Sequence, residues 1–295
     1  METKQVLLVD AFADEPLSGL PIGVVPDDVS REQLRAIAGE LGTTGAVTLR
    51  DGQPEFVARG GATGFVGGGV AGCLGLFERD ALDSGNYALS VVDDGSEREY
   101  PVELREDRSV RLELPAMTVE DATVPFDRLA PALGIEVPAM EDVGSDLPLG
   151  RVEGFDGTLL VPVTFLEHLS TAAPDAGTLA DLLAETGVAR AGVFTFDTLG
   201  RAADLHVRLF EPSSGGLELP ASGVVAASCG RYLAHHGAFD GTKESLSIEC
   251  GAFLDRPGTI VTSLEERPLV GGSALITLDG SLSVPDDDTD DILEA

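Results

Sequence analysis

Two stretches of this chain restrict its fold more than anything else in it. From Gly67 to Phe77 the residues Val70, Ala71, Cys73, Leu74, Leu76 and Phe77 leave small or apolar side chains on nearly every side of a helix. Ser222 to His235 repeats the pattern, again led by a glycine, Gly223, and rich in valine and alanine. A helix without a polar face has no side to give to water and must be enclosed. The rest of the chain supplies short strands to enclose it. Alternating or short apolar runs at Gln5 to Phe12, Ala46 to Arg50, Glu55 to Ala58, Tyr87 to Val92, Glu99 to Leu104 and Val110 to Leu114 precede or flank the first segment. A second set, at Leu159 to Val163, Gly192 to Phe196, Asp204 to Phe210, Leu246 to Glu249, Gly258 to Ser263 and Ser273 to Val284, surrounds the second. Their two-residue period and length are those of strands.

Two polar-capped helices are also predicted. One spans Arg31 to Leu41, with Ser30 as N-cap and Gln33 as its capping-box partner. The other spans Thr178 to Glu185. The Pro-, Asp- and Glu-rich stretch from Met117 to Asp146 reads as a connection. Cys73 stands six residues after Gly67, and Cys229 six after Gly223, an offset that points to an internal duplication. It sets both thiols away from the positive helix ends that would activate them, so they read as buried structural cysteines. The expectation is an α+β chain with an N-terminal unit at 1–116, a similar unit at 117–284 whose last strands are free to return to the first, and an acidic tail at 285–295.

Composition narrows the partners. Fifty-one acidic residues against nineteen basic ones give a formal charge of −32, which disfavours nucleic acid and anionic membrane. Lys4 and Lys243 are the only lysines. An acidic, lysine-poor surface stays hydrated at high salt, where screening removes its self-repulsion. This predicts a salt-loaded cytoplasm such as that of a halophilic archaeon; an acidic patch that recruits a basic partner is the alternative, set back because the acids run through every segment. Three widely spaced cysteines, no secretory pattern at the start and no apolar run of membrane-spanning length lead to a reducing, cytoplasmic setting.

Val9-Asp10-Ala11-Phe12 followed by Leu17-Ser18-Gly19-Leu20-Pro21 resembles the VDAF…SGNP opening of the PhzF-like isomerase family. Further matches come in order: Val66 to Phe77, Arg208-Leu209-Phe210-Glu211-Pro212 with Gly215 and Pro220, Glu249-Cys250-Gly251 with Arg256, and Val270-Gly271-Gly272-Ser273-Ala274 through Asp279-Gly280 to Pro285. The resemblance covers nearly the whole chain. It implies the fold shared with diaminopimelate epimerase and proline racemase: two similar domains, each a strand-rich barrel around a central buried helix. It also implies that the helix N-termini face an interdomain cleft able to hold a small carboxylate, without a cofactor or metal. The family's chemistry is proton removal and return at carbon, which needs an opposed acid and base.

Those groups are missing at the matching positions. Leu41-Gly42-Thr43-Thr44-Gly45-Ala46-Val47-Thr48-Leu49 aligns with the family's LNLSETAFV, so Gly45 stands for the glutamate. Gly67-Gly68-Gly69-Val70-Ala71 aligns with CGHAT, and Gly69 stands for the histidine. Glu218 to Val225 aligns with EDPxTGSA, which puts Leu219 at the aspartate and Val224 at the serine. Leu20 replaces the asparagine of SGNP. Neither glycine nor an aliphatic side chain carries a proton. The resemblance therefore implies a family member degenerate in acid/base chemistry that keeps carboxylate binding at Gly68, Gly69, Ser222 and Gly223, with a homodimer as the expected assembly.

Other groups could restore chemistry. Glu218 is the best remaining carboxylate, although a loop acid before a helix is more often solvated and held by the helix dipole. Ser222 reads as an N-cap before it reads as a nucleophile. His206 and Arg208 share one face of a strand and read as a core-edge pair or a ligand-facing pair. His235-His236 end a helix with no carboxylate at ligand spacing. The run Arg59 to Gly69 lacks the GKS/T ending of a phosphate loop, though its amides could still meet an anion. Two alternatives to a degenerate protein stay open: an isomerase using Glu218 or His206, and a structural or interaction subunit.

Overall fold

Strand β1 (Glu2–Ala11) pairs antiparallel with β2 (Leu20–Val25) in a computed structural model that describes residues 2–61, 64–93, 95–144, 147–213, 216–239 and 241–286. Outside these lie Ala62 and Thr63 of the glycine-rich run, Gly215 of the family match, and most of the acidic tail. After β2 comes α1 (Arg31–Leu41), which begins in the capping box of Ser30 and Gln33 and stops at Gly42, left-handed at φ 69°. β3 (Gly45–Arg50) then lies parallel to β2, and β4 (Gln53–Ala58) returns antiparallel to it. The first apolar segment forms α2 (Phe65–Phe77), buried at every position from Phe65 to Leu76. A meander of β5 (Gly85–Asp93), β6 (Ser96–Leu104) and β7 (Val110–Glu113) closes around it.

The second half follows the same logic. The stretch read as a connection instead carries β8 (Thr118–Asp121), α3 (Phe126–Leu133) and α4 (Val137–Gly144). Its prolines and acids sit in or beside short elements: α3 buries Leu129, Ala130, Ala132 and Leu133 on one side while Pro131 stands inside it. Then come β9 (Gly150–Glu153), β10 (Thr158–Pro162), α5 (Leu166–Thr171), α6 (Ala176–Thr186), β11 (Arg190–Thr195), β12 (Leu205–Phe210) and the two-residue β13 (Glu218–Leu219). The second apolar segment forms α7 (Gly223–His235), capped by Ser222. β14 (Ser245–Cys250), β15 (Gly258–Ser263), β16 (Leu269–Gly272) and β17 (Ala274–Val284) complete the chain.

The last strands cross back. β16 pairs with β7 and β17 with β1, so the C-terminal segment completes the sheet of the first half. One apolar cluster runs from Phe65, Val66 and Val70 of α2 to Val224, Val225 and Tyr232 of α7, making a continuous core through both units. Smaller clusters lie under α3 and α6 and under α1. Among the described residues no helix is long and apolar enough to cross a membrane.

Candidate functional site

The two buried helices meet at their N-termini. A Cβ at Gly223 would stand 2.6 Å from Val66 Cβ, so the first turn of α7 rests directly on the first turn of α2. Ser222 caps its helix by accepting from Val225 N at 3.4 Å. Gly64, at the start of α2, offers no side chain to do the same.

What surrounds the start of α2 is apolar. Gly67, Gly68 and Gly69 have no side chains, and a large hydrophobic group from another element lies against each. A Cβ at Gly67 would meet Leu20 Cδ2 at 2.8 Å, one at Gly68 would meet Phe56 Cε2 at 2.8 Å, and one at Gly69 would meet Leu112 Cδ2 at 2.8 Å. A Cβ at Gly45 would stand 2.5 Å from the same Phe56 Cε2. Phe56, on β4, is fully buried. Its ring therefore fills the space between Gly45 and Gly68, and Leu20 fills the space beside Gly67. Gly69, matched to the family histidine in sequence, faces the barrel interior at Leu112 and Leu89. Gly68 is the helix position that shares a neighbour with Gly45.

A cleft of about 440 Å³ remains next to this plug. Thr44, Arg59, Gly60, Gly61 and Gly64 line it from the first half, and Ser213 and Leu219 from the second. Its described lining holds one cation and no carboxylate, which is notable in a chain of charge −32. Thr44 Oγ1 is shielded from solvent and has no hydrogen-bond partner among the described residues. A smaller cavity of about 290 Å³ lies on the side of Val224. Its wall includes the stacked rings of Phe65, Tyr100 and Phe155, with centroids 4.6 and 5.4 Å from Phe65. A larger groove of about 870 Å³ runs along β7, β15 and β16, away from both helix N-termini.

The remaining acid/base candidates are held elsewhere. Glu218 is not a solvated loop acid: Arg208 grips it in a fork, Nε to Oε1 at 2.8 Å and Nη2 to Oε2 at 2.7 Å. Arg208 Nη1 also donates to the carbonyls of Leu169 and Ala172, and its guanidinium lies between the rings of Phe210 and Phe253. Such a planar, two-bonded pair fixes geometry. His206 is fully buried. Its Nδ1 lies 3.1 Å from Glu249 Oε2, while Glu249 also accepts from Leu199 N and Gly200 N. With no acceptor role left for Nδ1, that nitrogen carries the hydrogen, and Nε2 has no partner among the described residues. Burial pushes the imidazole below the ordinary histidine range, against the pull of Glu249.

The thiols of Cys73 and Cys229 are buried, and burial pushes both up to about 12, so neither is a base or a nucleophile near neutral pH. His236 packs its ring on Tyr232 at 4.6 Å. Among the described residues no three His, Cys, Asp or Glu side chains are grouped as metal ligands. The sequence left Phe56 unmarked: within a strand, nothing separates a phenylalanine that packs elsewhere in a barrel from one that lies against Gly45 and Gly68. The forks of Arg208 and Glu218, ten residues apart, were equally hidden.

Two strand-rich units, each around one buried helix and joined at the helix N-termini, define an α+β fold of the diaminopimelate epimerase-like kind. The chain belongs to the phenazine biosynthesis-like protein family PhzC-PhzF, whose profile matches residues 99–280. It is similar to the uncharacterized isomerase YfhB of Bacillus subtilis, with 29% identity across 95% of this chain and 96% of that protein. It is also similar to the uncharacterized isomerase YddE of Escherichia coli K12, with 24% identity across 92% and 96%. Among solved structures, a PhzF-family phenazine biosynthesis protein of Bacillus anthracis superposes with a TM-score of 0.79 at 21% identity, covering 96% of this chain and 100% of that one. A predicted epimerase from Pseudomonas aeruginosa reaches 0.71 at 19%, with the same coverage.

Proposed function

We propose that this PhzF-family protein has lost the family's proton exchange at carbon and retains a cleft that binds a small carboxylate. The observation that carries the reading is the Phe56 ring, which leaves no room for even a Cβ at Gly45 or Gly68. Leu219 supplies no proton carrier from the opposite half. The surviving cleft is suited to an anion: the Gly60 and Gly61 backbone, Gly64 at the start of α2 and Arg59 line it, with no carboxylate in the described lining. Binding would rest on backbone amides and one guanidinium, and no group in that lining is placed to take a proton from carbon.

The alternative, an isomerase relying on Glu218 or His206, is weakened by the locations of these groups. Glu218 is committed to Arg208, and His206 has no exposed atom through which a substrate could reach it. The test is incubation in deuterated water at multimolar KCl with a panel of amino acids and cyclic carboxylic acids, followed by mass spectrometry and calorimetry. Heat of binding without deuterium at carbon is expected. Protein-dependent deuterium incorporation would overturn the proposal, and its loss in Glu218→Gln or His206→Asn would hand the chemistry to those residues.

A further inference from the structure

The cavity of about 290 Å³ beside Val224 combines a wall of rings with a buried ion pair. Phe65 of α2 and Tyr100 of β6 are buried, and Phe155, from the turn between β9 and β10, stacks on Phe65 from the second half of the chain. That turn has a costly backbone. Gly154, Phe155, Asp156 and Gly157 stand at φ 116°, 52°, 67° and 78°, and two successive central residues of positive φ make a hairpin turn that ordinarily takes asparagine, aspartate or glycine. A phenylalanine there is out of place, and such a conformation persists only where its surroundings hold it. Here the ring lies on Phe65 and Arg190 Nη1 donates to the Phe155 carbonyl. An unfavourable turn residue is thus kept where it forms the cavity wall.

The ion pair in the same lining is incomplete. Arg190 and Glu211 are both buried, and Arg190 Nη2 donates to Glu211 Oε1 at 3.2 Å, longer than the roughly 2.7–2.9 Å of a strong charge-assisted bond. Arg190 Nε, on the same edge of the guanidinium, has no hydrogen-bond partner among the described residues. Arg208 shows that edge satisfied, with bonds of 2.8 and 2.7 Å to Glu218. A buried donor without a partner calls for an explanation, and a ligand in the adjoining cavity supplies one. Charge selects its kind. Asp93, Asp156 and Glu211 set three carboxylates against Arg98 and Arg190, so the lining is nearly balanced, unlike the cleft at Arg59, whose described lining holds no carboxylate. The uncharged group that complements a guanidinium beside a carboxylate is an amide edge: its carbonyl accepts from Arg190, and its N–H donates to Glu211, whose carboxylate offers about four lone-pair sites. The rings give a flat face for stacking, and the volume, at the small end of ligand pockets, suits a single ring.

We propose that this cavity binds an uncharged planar ring with an amide edge, a carboxamide or a lactam, stacked on the Phe155–Phe65–Tyr100 wall and hydrogen-bonded to Arg190 and Glu211. Calorimetry of the full chain at multimolar KCl is expected to show binding of nicotinamide or uracil, the first assigning a carboxamide and the second a lactam, with their anionic counterparts nicotinate and orotate binding more weakly. Phe155→Asn, which suits the turn and removes the ring, is expected to weaken binding about tenfold or more with an unchanged circular dichroism spectrum. Methyl NMR locates the site: the bound ring is expected to shift Val91, which lines this cavity, and to leave Leu219, which lines the cleft at Arg59. No heat from either compound at millimolar concentration would overturn the proposal, as would tighter binding of the anions, full affinity in Phe155→Asn, or shifts at Leu219 with none at Val91.

Discussion

A methyl group at position 45 would have to displace the Phe56 ring, whose Cε2 stands 2.5 Å from where that carbon would sit. Gly45→Ala is therefore expected to cost about 1–3 kcal/mol as an overpacking change, and Phe56→Ala about 3–5 kcal/mol as a cavity. The double variant should cost less than the sum, because the methyl then loses its clash with the ring and keeps only its 2.7 Å approach to the Val57 carbonyl. Urea titration of the four proteins checks this, and strict additivity would remove Phe56 as the group that excludes side chains from position 45. Arg208→Met should cost about 3 kcal/mol, since it strands the Glu218 carboxylate, with Arg208→Met/Glu218→Leu recovering much of the loss. The glycines at 45 and 67–69 and the aliphatic Leu219 and Val224 were legible in the sequence; which helix glycine faces Phe56 was not. Three successive glycines, Gly67 to Gly69, match the family's helix start equally well in adjacent frames, and only the ring of Phe56 distinguishes Gly68 from its neighbours. The six-residue offsets of Cys73 and Cys229 set Gly68 opposite Val224.

At the scale of elements, periodicity located the strands and helices that bury a continuous face. It missed those too short to show a period: β13 has two residues, β16 has four with two glycines, and β2 was absorbed into the turn that precedes it. α3 was hidden by Pro131 and its flanking acids. The helix start that could be read rests on a checkable bond: Ser30→Ala should lower stability by about 1 kcal/mol in thermal melts. The link between β12 and β14 has a pH signature. Burial holds His206 below its ordinary range in the folded chain, so the unfolded chain takes up this proton first. Stability from this group is complete above about pH 6.5 and is lost as pH falls from there towards the folded value. Denaturant midpoints measured across that window at constant high salt should fall with acidity, and His206→Gln should flatten the slope. An unchanged slope would place the titration elsewhere.

For the whole molecule, a charge of −32 sets the working conditions. Screening shortens from about 10 Å at 0.1 M salt to about 3 Å at 1 M, so the melting temperature is expected to climb steeply with KCl; a flat profile would refute adaptation to high salt. Each unit encloses one buried helix, but the two units are not sealed from each other, since β17 lies against β1 with Glu2 opposite Val284. That closure has a temporal cost. β1 ends at Ala11 and the strand that covers its edge begins at Ala274, so at about 5–20 residues per second β1 waits roughly 13–53 s with that edge bare. During synthesis the N-terminal half is therefore an unfinished sheet, and it stays one until β17 is made.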